Sequence, residues 1–329
     1  MLRLTDFAWH QPTSLEDAIA LKQEAGTDGM FVAGGTDLYP NVKRRHQTPG
    51  VVISLAAIPE LECLEAGPDG ATIGAGVRLT DIVNHPALRQ HCPVIPQTAA
   101  TISTPLLRNM GTLGGNLCLD TRCNYYNQSF EWRKAINFCM KCDGEICWVA
   151  PSSPRCWAVQ SSDLAPVMVA IGAHFDLVGP GGTRTVSAHQ FYHDDGIAYL
   201  TKDPDEILTA VRVPPSGTWD ATYWKLRRRG SFDFPVLGVA IRLDWDDRRV
   251  RKACITLGGV ASHPQLVTAA AEALVGTFLD DTDIAAAADA AFRPSKPMDN
   301  TDFGLAWRKQ MTREYVRRAL QELRDRRNG

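Results

Sequence analysis

Six of the nine cysteines in this 329-residue chain fall between positions 118 and 156: Cys118, Cys123, Cys139, Cys142, Cys147 and Cys156. No histidine lies among them. A metal bound here would be held by thiolates alone, which selects iron–sulfur clusters or zinc. Tyr125, Tyr126, Phe130, Trp132, Phe138, Trp148 and Trp157 are interleaved with the cysteines. The expectation is an aromatic shell that keeps water off an inorganic centre, one of the levers on cluster potential. Zinc modules usually pair two C-x2-C knuckles, and only Cys139-Met-Lys-Cys142 has that spacing. Disulfides and inert buried thiols are the plainer readings.

The elements on either side must position whatever this stretch holds. Residues 30–33 read as a short buried strand running into Gly34-Gly35-Thr36-Asp37-Leu38. Paired glycines after a strand let backbone amides approach a phosphate. A second glycine pair follows at Gly114-Gly115-Asn116, beside the hydroxyl of Thr112. One such loop is a weak signal, whereas two suggest a dinucleotide gripped from two sides. A helix is expected from Ser14 to Gly26, and strands at 51–55, 61–64 and 71–73. Residues 162–172 read as a buried helix carrying Asp163 near its start, where a helix cap and a ligand contact are both open readings. A hairpin at 174–186 and a strand at 205–213 run up to Pro214-Pro215, a domain boundary. Beyond it, strands at 223–228, 236–243 and 253–257 precede helices at 267–275, 283–291 and about 303–326, an α+β module.

Bulk composition narrows the function. With 44% hydrophobic and 22% charged residues and a net charge of −2, the chain resembles ordinary globular protein and offers no electrostatic case for nucleic acid or anionic membrane. The longest apolar run, at 165–173, is too short to span a bilayer. The start, MLRLTDFAWHQ, shows no apolar signal segment, so a cytoplasmic location with reduced thiols is expected. No Ser/His/Asp or Cys/His arrangement suggests a catalytic nucleophile, acid or base.

The motifs taken together resemble the flavin-binding medium subunit of the xanthine oxidase family of molybdenum enzymes. They are Val32-Ala-Gly-Gly-Thr-Asp-Leu38, Ile58-Pro-Glu-Leu61, Arg108-Asn-Met-Gly-Thr-Leu-Gly-Gly-Asn116, Ser162-Asp-Leu-Ala-Pro166, Glu206-Ile-Leu208, Tyr223-Trp-Lys225 with Phe232-Asp233, and Leu257-Gly-Gly-Val-Ala261. The resemblance implies an α+β chain: a PCMH-type FAD-binding fold of two α/β subdomains over 1–215, then a CO-dehydrogenase-flavoprotein-like C-terminal domain over 219–329. It assigns FAD contacts to Phe31, Val32, Ala33, Gly34, Gly35, Thr36 and Asp37, and to Thr112, Gly114, Gly115 and Asn116. Thr101 and Ser103 are expected near the flavin, and Asp163 and Lys225 match positions that contact it.

One departure stands out. The Gly-Gly-Asn loop and the Asp-x-x-Pro helix lie close together in such relatives, but here Asn116 and Asp163 are 47 positions apart. The cysteine stretch, about 118–157, is thus an insertion. It resembles the insertion of 4-hydroxybenzoyl-CoA reductase flavin subunits, the reductive branch of the family. That likeness implies a [4Fe–4S] cluster on Cys123, Cys139, Cys147 and Cys156, leaving Cys118 as packing and Cys142 as an extra thiol. It also implies a large molybdenum-cofactor subunit, a small [2Fe–2S] subunit and a ferredoxin-like donor as partners. The expected route runs from donor to cluster, FAD, [2Fe–2S] centres and molybdenum, where 4-hydroxybenzoyl-CoA is dehydroxylated to benzoyl-CoA. The rival expectations are an oxidative hydroxylase subunit with a zinc-held docking loop, and a zinc-stabilised scaffold without flavin.

Overall fold

The computed structural model describes residues 3–217 and 219–328. Three parallel strands, Ala8–His10 (β1), Gly29–Val32 (β2) and Val51–Ser54 (β3), form a sheet in the order β1–β3–β2. Helix Leu15–Ala25 makes the crossover between β1 and β2. Ser14 caps it by accepting the Asp17 N–H at 3.1 Å, and Gly26 ends it at φ 54°, as the residue types at both ends predict. Ala18 and Ile19 of this helix pack with Ile53, Ile58 and Leu61.

A five-stranded antiparallel sheet follows, built from Leu64–Gly67 (β4), Gly70–Gly74 (β5), His174–Gly179 (β6), Gly182–Ser187 (β7) and Ile207–Val213 (β8) in the order β4–β5–β8–β6–β7. Between β5 and β6 the chain makes its long excursion through helices and the cysteine stretch. Helix Leu164–Ile171 is buried at every position, which marks an interior element with no solvent face. It belongs to the core of this sheet and also packs on the next one.

That next sheet is antiparallel: Trp219–Leu226 (β9), Leu237–Asp246 (β10), Arg249–Gly258 (β11) and Gln265–Leu266 (β12), in the order β12–β11–β10–β9. Helices Thr268–Glu272, Asp281–Phe292 and Leu305–Asn328 cover it. Arg308 of the last helix is fully buried. Its guanidinium donates to the carbonyls of Val236 (3.0 Å), Gly259 (2.8 Å) and Met298 (2.9 Å), tying the helix to both central strands.

Several local expectations shift. The strand expected at 223–228 runs from Trp219 to Leu226, and the helix expected at 267–275 is confined to Thr268–Glu272. Helix Val94–Ala100 was not legible, because its start, Val-Ile-Pro, is unfavourable by propensity. Burial of Val94, Ile95 and Ala99 in the core overrides that preference. Among the described residues no helix is long and apolar enough to cross a membrane.

Arg308→Leu leaves three buried carbonyls without their charged donor. Urea unfolding should show a loss of about 3 kcal/mol or more, since a hydrogen bond to a charged group contributes about 1.5–3 kcal/mol.

Candidate functional site

Residues from both N-terminal sheets line a cavity of about 800 Å³, within the range of small-molecule and cofactor sites. Its walls include Phe31, Ala33 and Gly34 at the end of β2, Ala75 and Gly76 after β5, Thr112, Gly114 and Gly115, and the segment from Ile197 to Leu208. Gly34 of the first pair and both glycines of the second therefore meet across one space. Gly34 sits so close to the Met110 carbonyl that any β-carbon would overlap it. The 33–37 loop makes no N–H hydrogen bond to another group among the described residues, a row of free donors suited to an anion. The second pair lies in the short helix Leu113–Leu117, where Thr112 accepts the Gly115 N–H at 3.1 Å. Arg78 and Lys202 add positive charge to the lining. Free amides, cations and glycine-thinned walls fit the polar, anionic FAD that the resemblance implies.

Of the residues expected to contact FAD, Phe31, Ala33, Gly34, Thr112, Gly114 and Gly115 line this cavity, whereas Val32, Gly35, Thr36, Asp37, Asn116, Thr101, Ser103, Asp163 and Lys225 do not. Asn116 Oδ1 accepts the Ser162 hydroxyl at 2.7 Å and the Leu164 N–H at 3.4 Å, bridging the second glycine pair to the buried helix. Asp37 forms an ion pair with Arg122. Asp163 does not cap its helix. Its carboxylate instead accepts from Lys225 Nζ at 2.8 Å and from the Tyr223 hydroxyl at 2.7 Å. Lys225 also donates to the Thr101 carbonyl, and Ser103, at φ 48°, accepts the Phe232 N–H. These four residues thus form a junction between helix Leu164–Ile171, the 101–103 turn and β9. Burial raises the Asp163 carboxyl, opposed by the Lys225 charge. The 197–204 lining was missed by sequence reasoning. Its one signal is the adjacent Glu206-Ile-Leu208 motif, whose three residues also face the cavity.

The cysteine stretch closes on itself. Helix Phe130–Ala135 is capped by Ser129, and Asn137 and Phe138 both take positive φ, reversing the chain into the 139–142 knuckle. The Cys139 carbonyl accepts the N–H groups of Cys142 (2.8 Å) and Gly144 (3.1 Å). Cys123, Cys139, Cys147 and Cys156 are all buried and line one small cavity with Tyr125, Tyr126, Met140, Lys141, Trp148 and Val149. Its volume is only about 10 Å³. Phe130, Trp132, Phe138 and Trp157 are absent from that wall, and Trp132 is 39% exposed, so the aromatic shell is narrower than expected.

Cys156 Sγ accepts the Ala158 N–H at 3.4 Å, and nearby main-chain amides pull the other thiols down: Tyr125 and Tyr126 at Cys123, Lys141 and Cys142 at Cys139, and Val149, Ala150 and Trp157 at Cys147. Hydrogen bonds to the charged form are what a buried thiolate requires. Burial raises Cys123 to about 11 and also raises Cys139. Mutual interaction of Cys147 and Cys156 lowers Cys147 and raises Cys156. Among the described residues no three His, Cys, Asp or Glu side chains group so as to hold a single metal ion. Four buried cysteines around a common space are a donor set of the kind a thiolate-bound iron–sulfur cluster would use. Cys142 lies outside this wall and accepts from Arg133 Nη1 at 2.9 Å. Cys118 lines the larger cavity instead, pushed up to about 11 by burial.

Two substitutions probe these sites. Gly34→Ala should abolish FAD retention while Gly67→Ala, which has open space around it, leaves flavin content unchanged; absorbance of desalted protein measures both. Lys225→Met strands the buried Asp163 carboxylate and should cost about 3–5 kcal/mol in thermal or denaturant unfolding. The Asp163→Asn/Lys225→Met pair should recover part of that loss.

Comparison with known proteins agrees with this geometry. Residues 5–216 match the model for the FAD binding domain in molybdopterin dehydrogenase, and residues 221–323 match the CO dehydrogenase flavoprotein C-terminal domain. The carbon monoxide dehydrogenase medium chain of Afipia carboxidovorans is 29% identical over 322 residues, covering 97% of each chain. The aldehyde oxidoreductase FAD-binding subunit PaoB of Escherichia coli is 31% identical over 269 residues, 78% of this chain and 82% of that one. In a crystal structure of the Cu,Mo-CO dehydrogenase, one chain superposes with a TM-score of 0.81 at 27% identity, over 98% of this chain and 99% of the other. The chain belongs to the FAD-binding subunits of the molybdopterin dehydrogenase family.

Proposed function

We propose that the chain is a two-centre electron-transfer subunit, with FAD in the large cavity and a [4Fe–4S] cluster on Cys123, Cys139, Cys147 and Cys156. The observation that carries this reading is the convergence of those four buried cysteines on one cavity. FAD exchanges electrons singly or in pairs and so joins one-electron to two-electron partners. The chain's own part is to bind and orient. The 33–37 loop and the Thr112–Gly115 turn hold the flavin's polar linker, and the Asp163–Lys225 junction fixes the C-terminal sheet against the flavin unit.

The insertion is fastened to the flavin unit at several points. Arg122 pairs with Asp37, and Arg133 donates to the carbonyls of Arg44 (3.3 Å) and Arg45 (2.8 Å). His46 packs on Tyr126 with ring centroids 4.6 Å apart and bonds the Gln128 carbonyl at 3.0 Å. A loop serving only to dock a partner has no need of such anchors beneath a thiol-lined interior. The relatives are named as medium chains and FAD-binding subunits, which supports partner chains carrying molybdenum and [2Fe–2S] centres. The reductive direction, from a ferredoxin-like donor toward dehydroxylation of 4-hydroxybenzoyl-CoA, rests on the likeness of the insertion to that of the reductase branch. The oxidative alternative, with a zinc-held loop, requires several sulfurs to meet at one ion.

Iron, acid-labile sulfide, zinc and flavin are measured on the purified protein and two variants. Wild type should contain iron and sulfide in equal amounts alongside FAD. Cys156→Ser should lose iron and sulfide but keep FAD, while Cys142→Ser keeps all three. Stoichiometric zinc in wild type, or loss of iron on Cys142→Ser alone, would overturn the ligand set.

A further inference from the structure

Lys141 lies in the wall of the cysteine cavity, and only 7% of its side chain is exposed. Its ammonium has three N–H donors, and three acceptors engage it: Asp120 Oδ1 at 2.8 Å, Thr121 Oγ1 at 2.8 Å and the Gly196 carbonyl at 2.6 Å. The charge is therefore fixed in place. It also sits over two tyrosine rings, 5.1 Å from the Tyr126 centroid and 5.5 Å from that of Tyr199, within cation–π range. Tyr126 lines the cysteine cavity and Tyr199 lines the flavin cavity. The Tyr199 hydroxyl donates to the Cys118 carbonyl at 3.3 Å, and Cys118 lines the flavin cavity too. Tyr126, Lys141 and Tyr199 thus form a continuous packed wall between the two spaces. Gly196 completes it: a β-carbon there would meet Cys156 Sγ at 2.8 Å, so the residue whose carbonyl anchors the ammonium packs closely against one of the four cysteines.

We propose that Lys141 is a positioning residue that sets the potential of the cysteine-held centre electrostatically, raising it relative to a neutral wall. This rests on the two-centre reading above. Adding an electron makes a thiolate-bound cluster more negative, and a dehydrated cation in its wall favours the more negative state, because low dielectric strengthens the attraction. The Asp120 carboxylate, on the other side of the ammonium, tempers that charge. Removing each partner of the pair should therefore move the potential in opposite directions, which mere loss of packing would not do.

The test is an anaerobic dithionite titration of the full chain as purified with its FAD and iron, following the reduced-cluster EPR signal and the flavin absorbance. Lys141→Met should shift the cluster midpoint downward, Asp120→Asn should shift it upward, and Lys141→Arg, which keeps the charge, should stay near wild type. The flavin midpoint should move in the same sense but by less, because Lys141 lines only the cysteine cavity. Unchanged midpoints in the Met and Asn variants, or shifts of the same sign, would overturn the assignment to Lys141. Wild-type protein lacking iron and sulfide would instead overturn the two-centre reading, and the inference with it.

Discussion

A set of thiolates buried among tyrosines and tryptophan is stable in its charged form only if other groups answer that charge. In this chain nearby main-chain amides act in that direction. Those after Cys123, Cys139 and Cys147 pull their thiols down, and the Ala158 N–H donates to Cys156 Sγ at 3.4 Å. Side chains then fix this stretch from outside. Arg133 is the clearest case, being fully buried and spanning from Cys142 to the carbonyls of Arg44 and Arg45. It spends its charge on the fold that surrounds the cavity while leaving the four cysteines free of competing partners.

The same anchors hold the cysteine stretch against the flavin unit. Asn116 reaches Ser162 and the start of the buried helix, bringing together the two ends from which the stretch departs. The stretch between leaves and returns at nearly one point, as the bridge between Arg122 and Val159 shows. From there it packs over the segment after β2 and touches the C-terminal unit through Asn300, which donates to the Trp157 carbonyl at 2.6 Å and accepts the Asn124 N–H at 2.9 Å. Its cavity and the flavin cavity meet at Tyr126, Lys141 and Tyr199.

Much of this architecture was legible in the residues. Ser14 and Gly26 marked a helix because a hydroxyl cap and a glycine stop act locally, whatever the tertiary setting. The two glycine pairs pointed to a shared ligand, and Gly34, Gly114 and Gly115 do face one space. Legibility failed where long-range packing decides. Thr101, Asp163 and Lys225, individually matched to the flavin, are linked through Lys225 across an inter-sheet junction, and Ser103 accepts from Phe232 and Ser231 beside them. Nothing in spacing could show that Asp163 and Lys225, 62 positions apart, would satisfy each other's charge. Tyr199 and Lys141 carried no motif at all. Their placement between the two cavities depends on the loop from 193 to 197 folding back onto the insertion through Thr121 and Cys156.

The central claim, that one chain holds a flavin and an iron–sulfur centre across a common wall, is tested most directly by low-temperature EPR of the anaerobically reduced protein. The account predicts the signal of a reduced four-iron cluster, in a sample whose oxidised absorbance also shows flavin, with both present at one per chain. A flavin spectrum with no iron-derived signal after full reduction would contradict it.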